Sequence, residues 1–400
     1  MFSKFNFILL LCLAHIPLVY SAEWSGQLGI ETRVFTETAA YSEQRANSSS
    51  LLFQPEFYHE FESGNSSFAF VPFARLDQTD NQRSHVDIRE LTWVKVQNNL
   101  EWRLGIRKVF WGVTESQHLV DLINQTDTVE NPDGEDKLGQ PMVNLSYASD
   151  MGTFDIFILP YFRERTFAGK KGRLRSDPYV DTTTTFYESA DKEKHVDYAL
   201  RWANSIDEWD IGLSYFSGTS REPRFVTGTN PAGDTVFNPY YDLIEQVGLD
   251  MQATFDNWLW KLESIYRTGI GGSGASSFTA LTAGLEYTFY AVLGEATDIG
   301  LVIEYLYDDR GATIASPFQK DMMLGLRFNL NDEQSSEALF GVIKDLDFDT
   351  TLYYIEASRR LGENFKITVE ARQYTNIPVN DVLHAYLNDD LIQVELSYYF

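Results

Sequence analysis

The sequence predicts an all-β protein, a closed transmembrane barrel of about eighteen antiparallel strands. Three observations predict it. The chain ends in a strictly alternating segment with apolar residues at 392, 394, 396, 398 and 400, and the last residue is Phe400. Residues 1–22 have the form of a secretory signal peptide. Alternating segments of about 9–13 residues, the length that a tilted strand needs to cross hydrocarbon, recur from residue 24 onward.

The amino-terminal segment has a charged start at Lys4, an apolar run over residues 5–13 and small residues Ser21 and Ala22 at its end. This pattern predicts export across the inner membrane. Cys12 is the only cysteine of the chain and lies inside this segment. The mature chain, residues 23–400, is therefore expected to hold no disulfide and no cysteine metal site.

The composition excludes other classes. No stretch after the signal approaches the 18 apolar residues of a spanning helix. Aromatic residues make up 14% of the chain, which suits the aromatic belts that barrels place at the two membrane interfaces. The formal charge of −26 disfavours nucleic acid as a partner.

Eighteen segments alternate between apolar and polar residues. The predicted strands are 24–35, 50–61, 67–77, 86–97, 100–108, 141–149, 153–163, 195–204, 208–217, 243–255, 258–268, 278–290, 298–308, 319–330, 337–344, 349–361, 365–375 and 389–400. An even number places both termini on the same side of the membrane. Sixteen strands also fit, because the link between 337–344 and 349–361 is short on the side where the other links are long.

The predicted connections alternate in length. The short ones, such as 97–99, 205–207 and 256–257, are rich in Asn, Asp and Gly, which tolerate the backbone of tight hairpins. The long ones are 36–49, 78–85, 109–140, 164–194, 218–242, 269–277, 309–318 and 376–388. Short periplasmic turns and long external loops are typical of barrels in the bacterial outer membrane. We therefore expect one barrel over 23–400, with Tyr398 and Phe400 facing lipid and the last strand engaging the barrel-assembly machinery.

Alternation also assigns the two faces of each strand. Within 298–308, Ile299, Leu301 and Ile303 face one way and Glu304 the other. Charged faces are expected to look inward, since Arg or Lys on the lipid face costs about 2–4 kcal/mol near the midplane. Glu90 breaks this rule, because it falls on the apolar side of 86–97. The basic residues predicted to line the lumen include Arg33, Arg103, Arg107, Arg201, Arg267, Arg327 and Arg372.

The longest connection is the third long loop, 109–140. With its signal, strand–loop rhythm and terminal Phe, the chain resembles the Gram-negative porins, and this resemblance implies that the third external loop folds into the barrel as a constriction. The segment 105–112, with Trp111-Gly112, and the later Asn131-Pro132-Asp133 resemble a porin-like family of unassigned function, in which this stretch reads as an inserted loop. We assign Trp111 to membrane contact or assembly.

The predicted constriction loop is acidic, and five of its residues are candidates for the narrowest point: Glu115, Asp121, Asp127, Glu130 and Asp133. Against a basic wall they would create a transverse field that orders polar solutes and sets ion preference. The alternative is that the wall charges pair with one another and only solvate the lumen. Residues 115–123 are expected to form a short helix. The acidic residues of the loop predict that the channel prefers cations to anions.

A basic cluster follows in the next loop: Arg163, Arg165, Lys170, Lys171, Arg173 and Arg175. It could attract anionic solutes or the phosphates of lipopolysaccharide. The alternative is a solvated loop that balances local acidity.

We expect an outer-membrane channel for passive diffusion of small hydrophilic solutes or ions, without cofactor, metal or catalytic activity. The six histidines show no metal-binding or catalytic spacing. The rival functions are a plugged binding, adhesin or structural barrel, and a transporter of hydrophobic compounds. The second rival is disfavoured because residues 23–42 read mainly as strand one rather than as a plug. The expected partners are outer-membrane lipid, lipopolysaccharide and small polar solutes, with a homotrimer suggested by general porins.

Overall fold

The computed structural model describes residues 22–62, 64–271, 276–293, 296–310 and 316–400. The predicted signal peptide lies outside the described residues, except for Ala22, which begins the first strand. Within the described ranges, no helix is both long and apolar enough to cross a membrane. The helical elements include short 3-10 turns at Lys192–Lys194 and Val382–Tyr386.

The strands, in chain order, are β1 (Ala22–Phe35), β2 (Asn47–Glu60), β3 (Ser66–Asp77), β4 (His85–Gln97), β5 (Leu100–Arg107), β6 (Gln140–Ser149), β7 (Gly152–Leu159), β8 (Phe186–Tyr187), β9 (Asp197–Ile206), β10 (Trp209–Thr219), β11 (Arg224–Thr229), β12 (Thr235–Tyr241), β13 (Leu243–Phe255), β14 (Trp258–Ile270), β15 (Ser276–Leu293), β16 (Thr297–Asp308), β17 (Lys320–Asn329), β18 (Glu337–Asp345), β19 (Thr351–Leu361), β20 (Phe365–Thr375) and β21 (Leu391–Tyr399). Three of them, β8, β11 and β12, form a small separate sheet.

The other eighteen strands form one closed antiparallel ring. Each pairs with its neighbours in the chain, and β21 returns to pair with β1, with Val34 opposite Ile392 and Gln27 opposite Tyr399. The prediction of an eighteen-stranded antiparallel barrel is confirmed, and the alternative of sixteen strands is wrong. Closure leaves no free sheet edge, so every strand satisfies its backbone hydrogen bonds with protein.

The turns at one end of the barrel are tight for a reason visible in the backbone. Asn98, Asp207 and Asp256 each open a two-residue turn and have φ angles of 55°, 52° and 52°. Asn and Asp tolerate this left-handed conformation better than other non-glycine residues. At the opposite end, the link 346–350 is as short as the sequence suggested, but β18 and β19 on either side of it pair over eight positions, from Lys344 opposite Thr351 to Glu337 opposite Ser358.

The strands face lipid and lumen as alternation predicts. On β9, Tyr198 and Leu200 are exposed on the outer face, while Asp197 and Ala199 are buried on the inner face. Outer faces are covered by exposed aliphatic and aromatic side chains around the ring. A sheet with an apolar outer face and a polar inner face is suited to a barrel that has hydrocarbon outside and polar groups inside.

The exception that alternation left at Glu90 has a structural explanation. Val71 of β3 pairs with Glu90, but the next residue, Pro72, pairs with Ile88, so Arg89 is an extra residue in β4. This bulge shifts the alternation by one position. Glu90 therefore lies on the same face as inward-facing Val71, and its predicted place on the apolar face is wrong.

Candidate functional site

The segment between β5 and β6, residues 108–139, lies inside the ring of strands and is called the insertion loop below. Its apolar residues Leu119, Val120 and Ile123 are buried and belong to one cluster with inward-facing side chains of the wall. The wall members of this cluster are Met142, Phe157, Leu159, Ala199, Phe216, Ile244, Ile265, Phe278 and Ala280. The insertion loop is therefore held against the inner faces of β6 to β15 by apolar packing.

A buried carboxylate on β14 fixes the first part of the insertion loop. Glu263 has no exposed surface and accepts hydrogen bonds from the backbone N–H groups of Val113 and Thr114 at 2.7 and 3.1 Å. It also accepts from the Thr114 hydroxyl at 2.7 Å and from the backbone N–H of Val120 at 3.2 Å. These are charge-assisted bonds in a dry site, which makes them strong and directional.

A second buried carboxylate, on β16, continues the same arrangement. Glu304 has no exposed surface and accepts from the backbone N–H groups of Glu115 and Ser116 at 2.7 and 2.8 Å, and from the Ser116 hydroxyl at 2.5 Å. The predicted helix over 115–123 is absent, and that prediction is wrong. The backbone donors that a helix would have used are bound instead by wall carboxylates.

His118 bridges the insertion loop and the wall. Its Nε2 atom lies 3.0 Å from Glu135 of the same loop, and its Nδ1 atom lies 3.5 Å from Glu263. Burial alone lowers the pKa of His118, but hydrogen bonds to the two carboxylates outweigh it and raise the pKa to about 10. The imidazole is therefore a cation at neutral pH and holds two parts of the loop to one strand.

The loop reaches the wall on the far side at two charged contacts. Glu115 pairs with Arg327 of β17 at 2.5 Å, and Asp133 pairs with Arg372 of β20 at 2.6 Å. Beside the second contact, the Asn131 amide donates to Glu370 at 2.9 Å. Two of the five predicted acidic residues thus meet two of the predicted basic wall residues directly.

Glu130 and Asp127 attach the second part of the loop to the arginines of β1, β3 and β4. Arg75 pairs with Glu130 at 2.7 Å, Arg89 pairs with Asp127 at 2.7 Å, and Arg33 donates to the backbone carbonyl of Glu130. Both acidic side chains are buried. Burial alone raises the pKa of Asp127, but the His85 hydrogen bond and the Arg89 charge lower it well below its usual range.

The same region contains a set of metal-ligand types, since one ligand atom each of His85, Asp127 and Glu130 lies within 4.8 Å of the others. Both carboxylates already accept from guanidinium groups, Glu130 from Arg75 through two nitrogens and Asp127 from Arg89. A divalent ion would have to displace these cations. The geometry fits an ion-pair cluster better than a metal site.

Asp121 and Trp111 lie within the packed interior of the insertion loop. Asp121 is buried, accepts from the Trp111 backbone N–H at 3.2 Å and pairs with Lys137 at 3.2 Å. Burial raises the pKa of Asp121, and the Lys137 charge opposes this shift. The Trp111 ring is buried against Phe157, so it does not contact lipid as the sequence suggested. Its apolar surface serves to seat the loop.

The remaining predicted basic residues lie on the inner face with partners close by. Arg103 and Arg107 both donate to Asn144 of β6, at 3.0 and 3.1 Å. Arg201 pairs with Asp250 through two nitrogens at 2.6 and 2.7 Å. Arg267 donates to Gln246 at 2.8 Å and pairs with Glu222 of an external loop at 3.2 Å. Each of these charges is thus engaged with a polar or acidic neighbour.

One acidic residue of the far wall differs from all of these. Glu356 of β19 stands directly opposite Glu370 of β20 in the strand register, so the two share the inner face. It is exposed, and no hydrogen bond or ion pair to it is found in the part of the chain that the structure describes. By contrast, the inner-face residues Glu263, Thr282 and Glu304 have no exposed surface. The insertion loop thus covers the β14 to β16 side and leaves β19 uncovered at this level.

The alternation of the strands places Glu263, Glu304, Glu356 and Glu370 on the lumenal face, but it does not distinguish their roles. Their separate roles depend on where the insertion loop lies, and the loop is more than a hundred residues away from each in the chain. Their position in the strands nevertheless carried a signal. A carboxylate at the centre of a membrane strand needs hydrogen-bond donors or water nearby, so it marks a place where a loop or a water path meets the wall.

No protein-family model and no curated protein matches the chain. Among solved structures it is similar to OpdO of Pseudomonas aeruginosa, with a TM-score of 0.53 and 11% identity over 96% of this chain and 97% of that one. A BenF-like porin from Pseudomonas fluorescens Pf-5 gives 0.54 and 10% over 95% and 97%. A loop-deletion mutant of OmpT, an outer membrane protein of Vibrio cholerae, gives 0.50 and 10% over 95% and 99%. The chain therefore has the fold of a porin-like β-barrel of the bacterial outer membrane.

Proposed function

We propose that the protein is an outer-membrane channel through which small hydrophilic solutes and ions diffuse passively, with a preference for cations. The observation that carries the proposal is the one-sided placement of the insertion loop. It buries the inner face of β14 to β16 and meets the opposite wall at Arg327 and Arg372, while Glu356 between them stays exposed. The passage would run along β18 and β19, between these two contacts.

The cation preference rests on the balance of charge around this passage. Arg327 is neutralised by Glu115, and Arg372 by Asp133. Glu356 forms no ion pair within the described residues, and it faces a second carboxylate, Glu370, across the strand pair. When Glu356 is ionised, its negative charge in a narrow water path raises the local concentration of cations. Of the two sequence-based alternatives, mutual pairing of the wall charges therefore applies to the arginines but not to Glu356.

The rival functions have weaker support. A transporter of hydrophobic compounds needs an apolar path, whereas the uncovered wall beside β19 carries Glu356 and Glu370. A plugged barrel would need the space beside β19 to be filled as well. We propose no enzymatic role, and the trimer and the assembly partner stay predictions from the sequence.

The test is a planar-bilayer recording of the refolded protein under a salt gradient. We expect discrete conductance steps and a reversal potential that favours cations. Glu356→Gln should reduce the cation-to-anion permeability ratio about twofold to fivefold, because one charge at about 4–8 Å in water is worth about 0.5–1 kcal/mol.

The matched control is Glu363→Gln, which makes the same charge change at the exposed turn between β19 and β20. It should leave the permeability ratio unchanged. A correctly folded barrel that shows no conductance steps would reject the channel. Steps with an anion preference would keep the channel and reject Glu356 as the determinant of selectivity.

A further inference from the structure

A separate cavity lies at the external ends of β1, β2 and β3, outside the passage discussed above. It is partly open to solvent, and Thr128 and Val129 of the insertion loop form one side. The following loop, through Ala168 to Leu174, forms another. Five basic residues line it, namely Arg33, Arg45, Arg83, Lys171 and Arg173, against two acidic residues, Asp77 and Asp80.

The two acidic residues of the cavity are already bound by protein donors. Asp77 accepts from Ser48 at 2.9 Å and pairs with Arg83 at 3.1 Å. Asp80 accepts from the backbone N–H groups of Gly169 and Gln82 at 2.8 and 3.0 Å. Both carboxylates therefore stabilise the surrounding loops through these contacts and are not directed into the cavity.

Within the described chain, some of the basic residues at the cavity form an ion pair with a carboxylate, and others do not. Arg33 and Arg83 both pair with Glu31, at 3.1 and 2.8 Å. Arg45 and Lys171 are exposed at the cavity, and among the described residues neither has an ion pair. The cavity thus keeps at least two uncompensated cations after the local pairs are counted.

Two buried donors at the cavity also lack partners. Arg173 is buried and uses its Nε atom on Asp389 at 2.5 Å and its Nη2 atom on the backbone carbonyls of Asn388 and Glu37. Its Nη1 atom is buried and makes no hydrogen bond to the described residues. The buried hydroxyl oxygen of Thr128, on the insertion loop, is likewise unpartnered. Arg173 and Thr128 both line the cavity, and because unsatisfied buried donors are costly, a ligand with acceptor oxygens would suit these two residues.

We propose that this cavity binds a small oxyanion of phosphate size. The oxyanion would accept hydrogen bonds from Arg173 and Thr128 and neutralise Arg45 and Lys171. Because its ligands come from the first external loop, the insertion loop and the loop after β7, it would connect these three segments. The site explains part of the basic cluster that the sequence singled out, and it is independent of the proposed passage beside β19.

The experiment is isothermal titration of inorganic phosphate into the refolded barrel in lipopolysaccharide-free micelles, against a chloride solution of equal ionic strength. We expect one saturable site per chain. The double variant Arg45→Gln/Lys171→Gln should bind at least about tenfold more weakly, since each charge-assisted contact is stronger than a neutral one. Both residues are exposed, so the variant should fold, and its heat-dependent gel mobility checks this.

The matched control is Lys170→Gln, next to Lys171 in sequence. Lys170 pairs with Asp234 at 2.8 Å and is absent from the cavity lining, so phosphate binding should be unchanged. A second arm replaces phosphate with lipopolysaccharide. Binding of lipopolysaccharide alone that the double variant loses would support the oxyanion site and identify the lipid phosphate as its source. No saturable binding in either arm, or equal binding by the double variant and its parent, would overturn the proposal.

Discussion

At the scale of single residues, His118 shows how the insertion loop depends on charge. The imidazole lies between Glu135 and Glu263, and its pKa is raised to about 10 from an ordinary value of about 6.5. A raised pKa means that the protonated form supports the folded loop. The contribution of this contact is complete below about pH 6.5 and is lost as pH rises through about 10.

We therefore expect single-channel recordings of the parent protein to be quiet from about pH 7 to pH 9 and to show more brief closures above about pH 10, where His118 loses its proton. His118→Gln should show frequent closures throughout, because a neutral amide cannot satisfy two carboxylates. His384→Gln is the control, since this histidine lies in the external turn after β20. A parent whose closures begin near pH 6.5 would contradict the charged bridge.

At the scale of elements, the insertion loop decides which parts of the wall meet water. Thr282 of β15 faces inward opposite Glu263 and has no exposed surface, whereas Glu356 of β19 faces inward and is exposed. The only cysteine of the chain is Cys12, so a chain expressed from residue 23 offers a background without thiols. Single cysteines can therefore report on each position separately.

We expect Glu356→Cys to react rapidly with a charged methanethiosulfonate and to change conductance when it does. Thr282→Cys, a substitution of similar size, should react only after the barrel is unfolded, because the insertion loop covers it. Rapid reaction of both would place the loop away from β15 in solution. Reaction of neither would mean that the proposed passage beside β19 is closed.

The elements also show what the sequence could predict. Each strand is encoded locally, because lipid on one side and polar groups on the other impose a period of two over about ten residues, and all eighteen strands were found in this way. The face of Glu90 was predicted wrongly, because a bulge at Arg89 changes the period of the strand without a local signal. The loop contacts were not predictable, because Glu263 and Glu304 bind residues about 150 and 190 positions earlier in the chain.

At the scale of the whole molecule, the barrel exists only when β21 pairs with β1. The terminal residue takes part in this closure, because Phe400 and Gly26 exchange backbone hydrogen bonds at 3.1 Å in both directions. The Phe400 ring lies 6.5 Å from the ring of Phe53 and is 47% exposed on the outer face. Gly26 allows this approach, since a Cβ atom there would lie 2.9 Å from the Phe400 ring and 2.7 Å from backbone of β2.

We expect Phe400→Ala to reduce the yield of closed barrel in the membrane fraction several-fold, measured by heat-dependent gel mobility. Phe340→Ala is the matched control, because Phe340 of β18 has an outer-face ring that is 44% exposed but lies far from the closing strand pair. If the ring acted only through contact with lipid, both variants would lose the same apolar area and about the same yield. A loss confined to Phe400→Ala would show that the ring acts at closure, where it packs over the junction of the first and last strands. An unchanged yield would mean that the backbone pairing of β1 and β21 is sufficient for assembly.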